Sequence, residues 1–208
     1  MKKIKRHKTI RVFEGFAGYG GATFGLIRSG VKYKVIGFSE FDPDAIELYE
    51  YNFPKVRNFG DITQIDENSP ELPDFDLFTG GFPCQPFSTV GKRQGQEDER
   101  GRGTLFGDII RICEVKQPKY ILLENVKGLR TGKMKSTFEV ILSELNRIGY
   151  DVRYAILNSK DYGIPQTRER LWIFAYLGKL PNNFDMVPPT EPLQGLFSDF
   201  LDKNPSPE

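Results

Sequence analysis

Short apolar runs of strand length alternate with amphipathic stretches along most of this chain. "IRVFEGF" (Ile10 to Phe16) has the length and β-rich character of a strand, and "GGATFGLIRSG" reads as a glycine turn into a short helix. "YKVIGFSE" (Tyr33 to Glu40) predicts a second strand. "DPDAIELYEYNF" opens a helix with Asp42 as N-cap and Pro43 at the first helical position, and its Ala45, Leu48, Tyr49 and Asn52 fall at helical spacing. "FDLFTGG" and "KYILLENV" predict strands on either side of a "TLFGDIIRICEVK" helix. "STFEVILSELNRIGY" is an amphipathic helix with Ser136 as its expected cap, and "DVRYAILN" and "RLWIFAYL" complete the series as strands. Beyond Leu180 the pattern fades into a proline-rich stretch, with one short helix expected around Leu196 to Leu201.

Alternation of this kind means βαβ units. The expected fold is therefore α/β: a doubly wound, mostly parallel sheet covered on both faces. Three segments follow: a basic N-terminal arm over 1–9, a catalytic domain over 10–178, and a proline-rich connector or tail over 179–208. In such sheets ligands bind beyond the carboxyl ends of the strands. The chemically suggestive residues fall at those ends or in the loops after them.

Charge changes the picture little. There are 29 basic and 28 acidic residues in 208, so net charge selects no partner. Its distribution is more informative, because "MKKIKRHK" and the stretch from Gly91 to Gly103 are both basic. Each reads as a solvated segment or as a phosphate contact. Two cysteines make no disulfide framework, and the basic start is not followed by an apolar signal core. The expectation is a soluble, cytoplasmic protein. Metal is not implied, since His7 is the lone histidine and no cysteine pair has ligand spacing.

"FAGYGG" after the first strand lets backbone approach a ligand and turn sharply into a helix. Thr23 stands where a dinucleotide fingerprint needs a small residue, which counts against nicotinamide and flavin. Glu40 ends the second strand, where an acidic residue accepts hydrogen bonds from ribose hydroxyls, and Asp61 of "GDIT" is expected on the same rim. A glycine turn with two carboxylates and no adjoining basic residue suits a nucleoside with a cationic or neutral tail better than a pyrophosphate. S-adenosylmethionine is such a nucleoside.

Cys84 lies in "TGGFPCQPFS", between Pro83 and Pro86, at the end of a strand. The prolines stiffen the turn and aim the thiol, and the neighbours offer no core. Cys113, at i+4 from Ile109 on an apolar helix face, reads instead as a small buried hydrophobe. A nucleophilic thiol needs help to ionise, and its substrate needs an acid. Glu124, ending "YILLE", and Arg168 and Arg170 of "PQTRER" are the candidates at other strand ends.

With these residues in place, the chain resembles the cytosine-C5 DNA methyltransferases. "FAGYGG", "GDIT", "GGFPCQPFS", "ENVKGL" and "DYGIPQTRER" occur in that family's order and at about its spacing, from Ile10 to Tyr176. The likeness is to the small bacterial restriction-modification type, and so to the cytoplasm of a bacterial or phage-infected cell. It implies a Rossmann-like S-adenosylmethionine-dependent methyltransferase fold acting on duplex DNA. The target cytosine is flipped out of the stack. Cys84 adds to C6, Glu124 serves N3, and C5 takes the methyl group, leaving S-adenosylhomocysteine. The resemblance assigns Arg170 to the cytosine O2 and Arg168 to the region of the target phosphate. It places Phe16 on the adenine, Gly18, Tyr19 and Gly21 along the methionine part, and Glu40 on the ribose. Phe41 takes the other adenine face, Asp61 and Ile62 the adenine edge, and Leu105 lines the pocket. Ser88 to Arg102 would be a loop closing over DNA.

Four departures stand out. Glu14 and Gly15 occupy positions where the family has Asp and an apolar residue, and the loop after Cys84 is somewhat longer. After Tyr176 nothing resembles the family's target-recognition region or its closing segment. That predicts either one half of a split enzyme, whose second polypeptide carries the rest, or a truncated enzyme. The alternatives are a tRNA cytosine methyltransferase, which shares much the same motifs, and a non-catalytic cofactor- or DNA-binding subunit. A scaffold would not need Cys84, Glu124 and both arginines together.

Overall fold

The computed structural model describes residues 9–83, 105–191, 193–195 and 199. Within them lie strands β1 (Ile10–Gly15), β2 (Tyr33–Ser39), β3 (Leu77–Gly80), β4 (Tyr120–Val126), β5 (Tyr150–Asn158) and β6 (Glu169–Leu177). The helices are α1 (Gly21–Ser29), α2 (Pro43–Asn52), α3 (Leu105–Lys116) and α4 (Lys135–Arg147). The strands form one sheet in the order β2-β1-β3-β4-β6-β5. The pairings from β2 through β4 are parallel, and β6 runs antiparallel to both β4 and β5. This is the expected mixed α/β architecture.

Local chemistry accounts for most element ends. Asp42 caps α2, its carboxylate accepting the Ala45 N–H at 2.9 Å, with Pro43 at the start. α1 lies between two left-handed glycines, Gly20 and Gly30. α4 differs from expectation. Ser136 lies inside it and Met134 takes the cap position without a side-chain bond, because three-ten turns over Lys127–Arg130 and Gly132–Met134 lead the chain straight into the helix.

The two faces of the sheet are covered differently. Phe13, Phe78, Ile121, Leu123, Leu171 and Ile173 join Ile109, Ile112, Cys113, Ile141 and Leu145 of α3 and α4 in one continuous core. Full burial of such a side chain stabilises by roughly 1.5–3 kcal/mol, so this face carries much of the fold. On the other face, Glu14 of β1 meets Thr23 of α1 and Tyr49 of α2. Farther across that face, Phe184 stacks on Phe174 at 5.3 Å, and Met186 and Pro188 help to line a shallow cavity of about 310 Å³ with Leu122, Leu157 and Trp172. No helix among the described residues is long and apolar enough to cross a membrane.

The chain passes from β1 outward to β2, then returns across β1 to β3. This reversal of winding direction makes the β1–β3 boundary the switch point where α/β sheets open a ligand crevice. The carboxyl ends of β1 to β4 share one rim. Because β6 is reversed, its amino end, which carries Arg170, reaches the same rim.

Candidate functional site

At the β1–β2 end, the turn Phe16–Gly20 is held from its neighbour strand. Phe16 (φ 52), Gly18 (φ 53) and Gly20 (φ 93) are all left-handed. Ala17 N–H donates to Ser39 O at 3.1 Å and Gly18 N–H to Glu40 Oε2 at 2.9 Å. Glu40 Oε1 also accepts the N–H groups of Phe41 (2.9 Å) and Asp42 (3.1 Å). Asn58 braces the backbone of Glu40 through its side-chain amide. A Cβ on Gly20 would come within 2.5 Å of the Phe53 ring, whereas one on Gly18 or Gly21 meets nothing within 4 Å. The turn is thus packed beneath and open above.

Both departures at the end of β1 have a physical reason. A Cβ on Gly15 would lie 2.6 Å from Phe78 Cζ. Glu14 is 1% exposed, and its Oε1 accepts from the hydroxyls of Thr23 and, at 3.1 Å, Tyr49. Burial pushes its pKa above the ordinary carboxylate range. The longer side chain ties α1 and α2 to the strand that ends in the turn.

The remaining sequence-predicted cofactor residues surround this opening. Tyr19 (60% exposed) and Phe41 (69%) project aromatic rings into solvent on either side of Glu40 in sequence, while Phe16 and Leu105 pack against the core. Asp61 caps a three-ten turn over Ile62–Gln64, accepting the Thr63 N–H at 2.9 Å, and Ile62 is buried beneath Gly15. Carboxylates, exposed rings and open space above glycine suit a nucleoside with a cationic tail.

At the β4–β6 end, Arg170 Nε lies 2.7 Å from Glu124 Oε1, both side chains about a quarter exposed. Glu124 is in register with Trp172, and Val126 with Arg170, so the two charged groups sit diagonally on one face of the sheet. A Cβ on Gly81 would be 3.3 Å from Glu124 Oε2. Asn125, next to Glu124, buries its amide and donates to Phe82 O at 2.9 Å, which fixes the chain as it leaves β3. Arg168 is exposed, its N–H donating to Asn158 Oδ1 at 3.0 Å. Glu169, between the arginines, pairs with Lys127. Cys84 and the segment Ser88 to Arg102 lie outside the described residues. Cys113 is fully buried and burial pushes its thiol pKa up, so it is no competing nucleophile.

Local sequence marks Asn125 by its place beside Glu124, but gives no signal for Asn58 or for Arg111, which lies on the polar side of α3.

The model of the C-5 cytosine-specific DNA methylases matches residues 10–204. A type II methyltransferase of Lactococcus lactis subsp. cremoris, M1.ScrFI, is 42% identical over 93% of this chain and 47% of its own length. M.HaeII of Haemophilus aegyptius is 45% identical over 87% of this chain and 54% of its own length. The chain therefore spans about half the length of these relatives. Among solved structures, the Dnmt2 methyltransferase of S. pombe superposes with a TM-score of 0.66 at 26% identity, covering 84% of this chain and 52% of that one. The Entamoeba histolytica methyltransferase EhMeth reaches 0.72 at 23% identity, covering 96% and 62%, a likeness of fold.

Proposed function

The chain belongs to the C-5 cytosine-specific DNA methylase family, and on that premise we propose that it transfers a methyl group to C5 of cytosine in duplex DNA. The observation that carries this reading is the Glu124–Arg170 pair standing against Gly81, three residues before Cys84, on the same rim as the open glycine turn. Bound S-adenosylmethionine supplies an electrophilic methyl carbon on its sulfonium. Glu40 takes the ribose hydroxyls, Asp61 and Ile62 the adenine edge, and Phe16 and Phe41 the adenine faces. Gly18, Tyr19 and Gly21 follow the methionine part, and Leu105 closes the pocket wall.

The protein's own groups act on a flipped cytosine. Cys84 as thiolate forms a bond to C6, and Glu124 delivers a proton to N3, so the ring's electrons collect at C5. Arg170 bonds the O2 oxygen, and Arg168 meets the phosphate of the target nucleotide. C5 bonds the methyl carbon as that carbon's bond to the sulfonium sulfur breaks, leaving S-adenosylhomocysteine; C5 then loses its proton to solvent, the Cys84 sulfur leaves C6 as thiolate, and N3 returns its proton to Glu124. The ring returns to an aromatic 5-methylcytosine.

Transfer of labelled methyl from S-adenosylmethionine to mixed-sequence duplex DNA tests this reading, with Cys84→Ala as control. Cysteine-dependent transfer supports it. Undiminished transfer by Cys84→Ala, or transfer to tRNA and not to DNA, would overturn the reading itself.

A further inference from the structure

Arg111 lies on α3, six residues after Leu105, and its guanidinium reaches across to the three-ten turn that carries Ile62. Nη2 donates to Ile62 O at 3.1 Å and to Asp108 Oδ1 at 3.1 Å. Nη1 donates to Ile65 O at 2.5 Å and to Glu67. The two carbonyls are those of the first turn residue and of the residue that closes the turn. Each terminal guanidinium nitrogen therefore holds one end of the turn and one carboxylate. The side chain is 31% exposed and its partners Glu67 and Asp108 less than 20%, so the fork is shielded from water on most sides.

An arrangement of this kind has a geometric purpose. A planar fork with donors in fixed directions sets the distance between the groups it bridges, as a flexible ammonium does not. The groups bridged here belong to two separate walls. One is the turn bearing Asp61 and Ile62, and the other is the first turns of α3, which bear Leu105.

We propose that Arg111 is a positioning residue for adenine recognition, locking the Asp61–Ile62 turn to α3 at the spacing an adenine edge requires. This rests on the reading of Asp61, Ile62 and Leu105 as cofactor contacts. Arg111 touches no ligand itself. It acts through the Ile62 and Ile65 carbonyls, which its guanidinium holds. Without the fork, the turn keeps its sequence and its Asp61 cap but loses its tether, and the adenine-edge contacts cease to be held in place.

The test uses Arg111→Lys in the full chain, since lysine keeps the charge beside Glu67 and Asp108 but cannot span both carbonyls. The first measurement needs no ligand: amide hydrogen exchange at Thr63, Gln64 and Ile65, whose N–H groups bond Asp61 Oδ1, Asp61 O and Ile62 O. We expect exchange there to accelerate about tenfold or more while Ile121 and Leu123 in β4 are unchanged. No change at 63–65, or an equal acceleration throughout, would overturn the proposal. The second measurement is titration with S-adenosylhomocysteine and with S-inosylhomocysteine, which lacks the adenine amino group. Arg111→Lys should weaken the adenosyl compound about tenfold and the inosyl compound less than about twofold. Equal weakening of both would reduce Arg111 to a general stabiliser and refute the positioning role. A parent protein that does not distinguish the two compounds, or binds neither, would fault the assignment of Asp61 and Ile62. The exchange result would then decide Arg111 alone.

Discussion

The two ends of the rim hold their carboxylates in opposite ways. At the β1–β2 end, Glu40 accepts three backbone N–H groups, and Asp61 accepts one. These partners are fixed by the path of the chain. At the β4–β6 end, Glu124 is held by a side chain, the Arg170 guanidinium, across two strands of opposite direction. A backbone-held carboxylate is pre-set and has no freedom to change partners. A half-open ion pair contributes only about 0–1 kcal/mol, so it can be exchanged for contacts to an incoming base at small cost. On the proposed function, the difference is a division of labour: recognition of a small ligand is built into the turns, and chemistry is left to side chains that can re-pair.

Three substitutions would break or sharpen that contrast. The largest effect is expected from Glu124→Gln. Loss of the N3 proton donor should slow methyl transfer by about 10²–10⁴-fold, while S-adenosylhomocysteine affinity stays within about twofold. Radiolabel transfer alongside calorimetric titration measures both. A matching loss of cofactor affinity would mean the two ends are not separate. Glu40→Ala should do the reverse. Leaving three N–H groups without their acceptor and removing the ribose partner costs about 2 kcal/mol of cofactor binding, roughly thirtyfold in affinity. The test is direct titration; unchanged affinity would show that the turn does not depend on this carboxylate.

The smallest effect is expected from Glu14→Gln, beneath the same turn. Burial raises the Glu14 pKa above its unfolded value, so its contribution to stability is complete below the unfolded pKa. That contribution is lost as pH rises through the folded pKa. The glutamine variant should lack this decline, with unfolding free energies from urea titration between pH 5 and pH 8 differing from the parent by about 1 kcal/mol or less. An identical pH slope in both proteins would show that the buried carboxyl does not titrate, and that backbone contacts alone define the turn.

The sequence carried much of this organisation because local chemistry wrote it. Asp42 and Pro43 announce α2, and the six β-rich runs coincide with the strands to within a residue or two. The Ser136 cap failed because a preceding three-ten turn removed the need for one. The reversal of β6 went unread although a signal was present. Residues 159–168 leave no room for the dozen or more residues that a parallel crossover takes. The placement of Glu124 beside Arg170 follows from that reversal, a tertiary pairing that no local pattern encodes. Arg111 was illegible for a similar reason, since its partners Ile62 and Ile65 are backbone carbonyls distant in sequence.

The position of β6 also has a consequence in time. Among the described residues it is the last strand to be made, yet it lies between two strands made earlier, and there β5 pairs with no other strand. During synthesis β5 must therefore wait without a ladder until β6 emerges and inserts beside β4. Arg170 then reaches the rim after the carboxyl ends of β1 to β4. The nascent protein assembles its glycine-turn end early and the Glu124–Arg170 pair late, so any product of translation that stops before β6 lacks the arginine and leaves that edge of β4 unpaired.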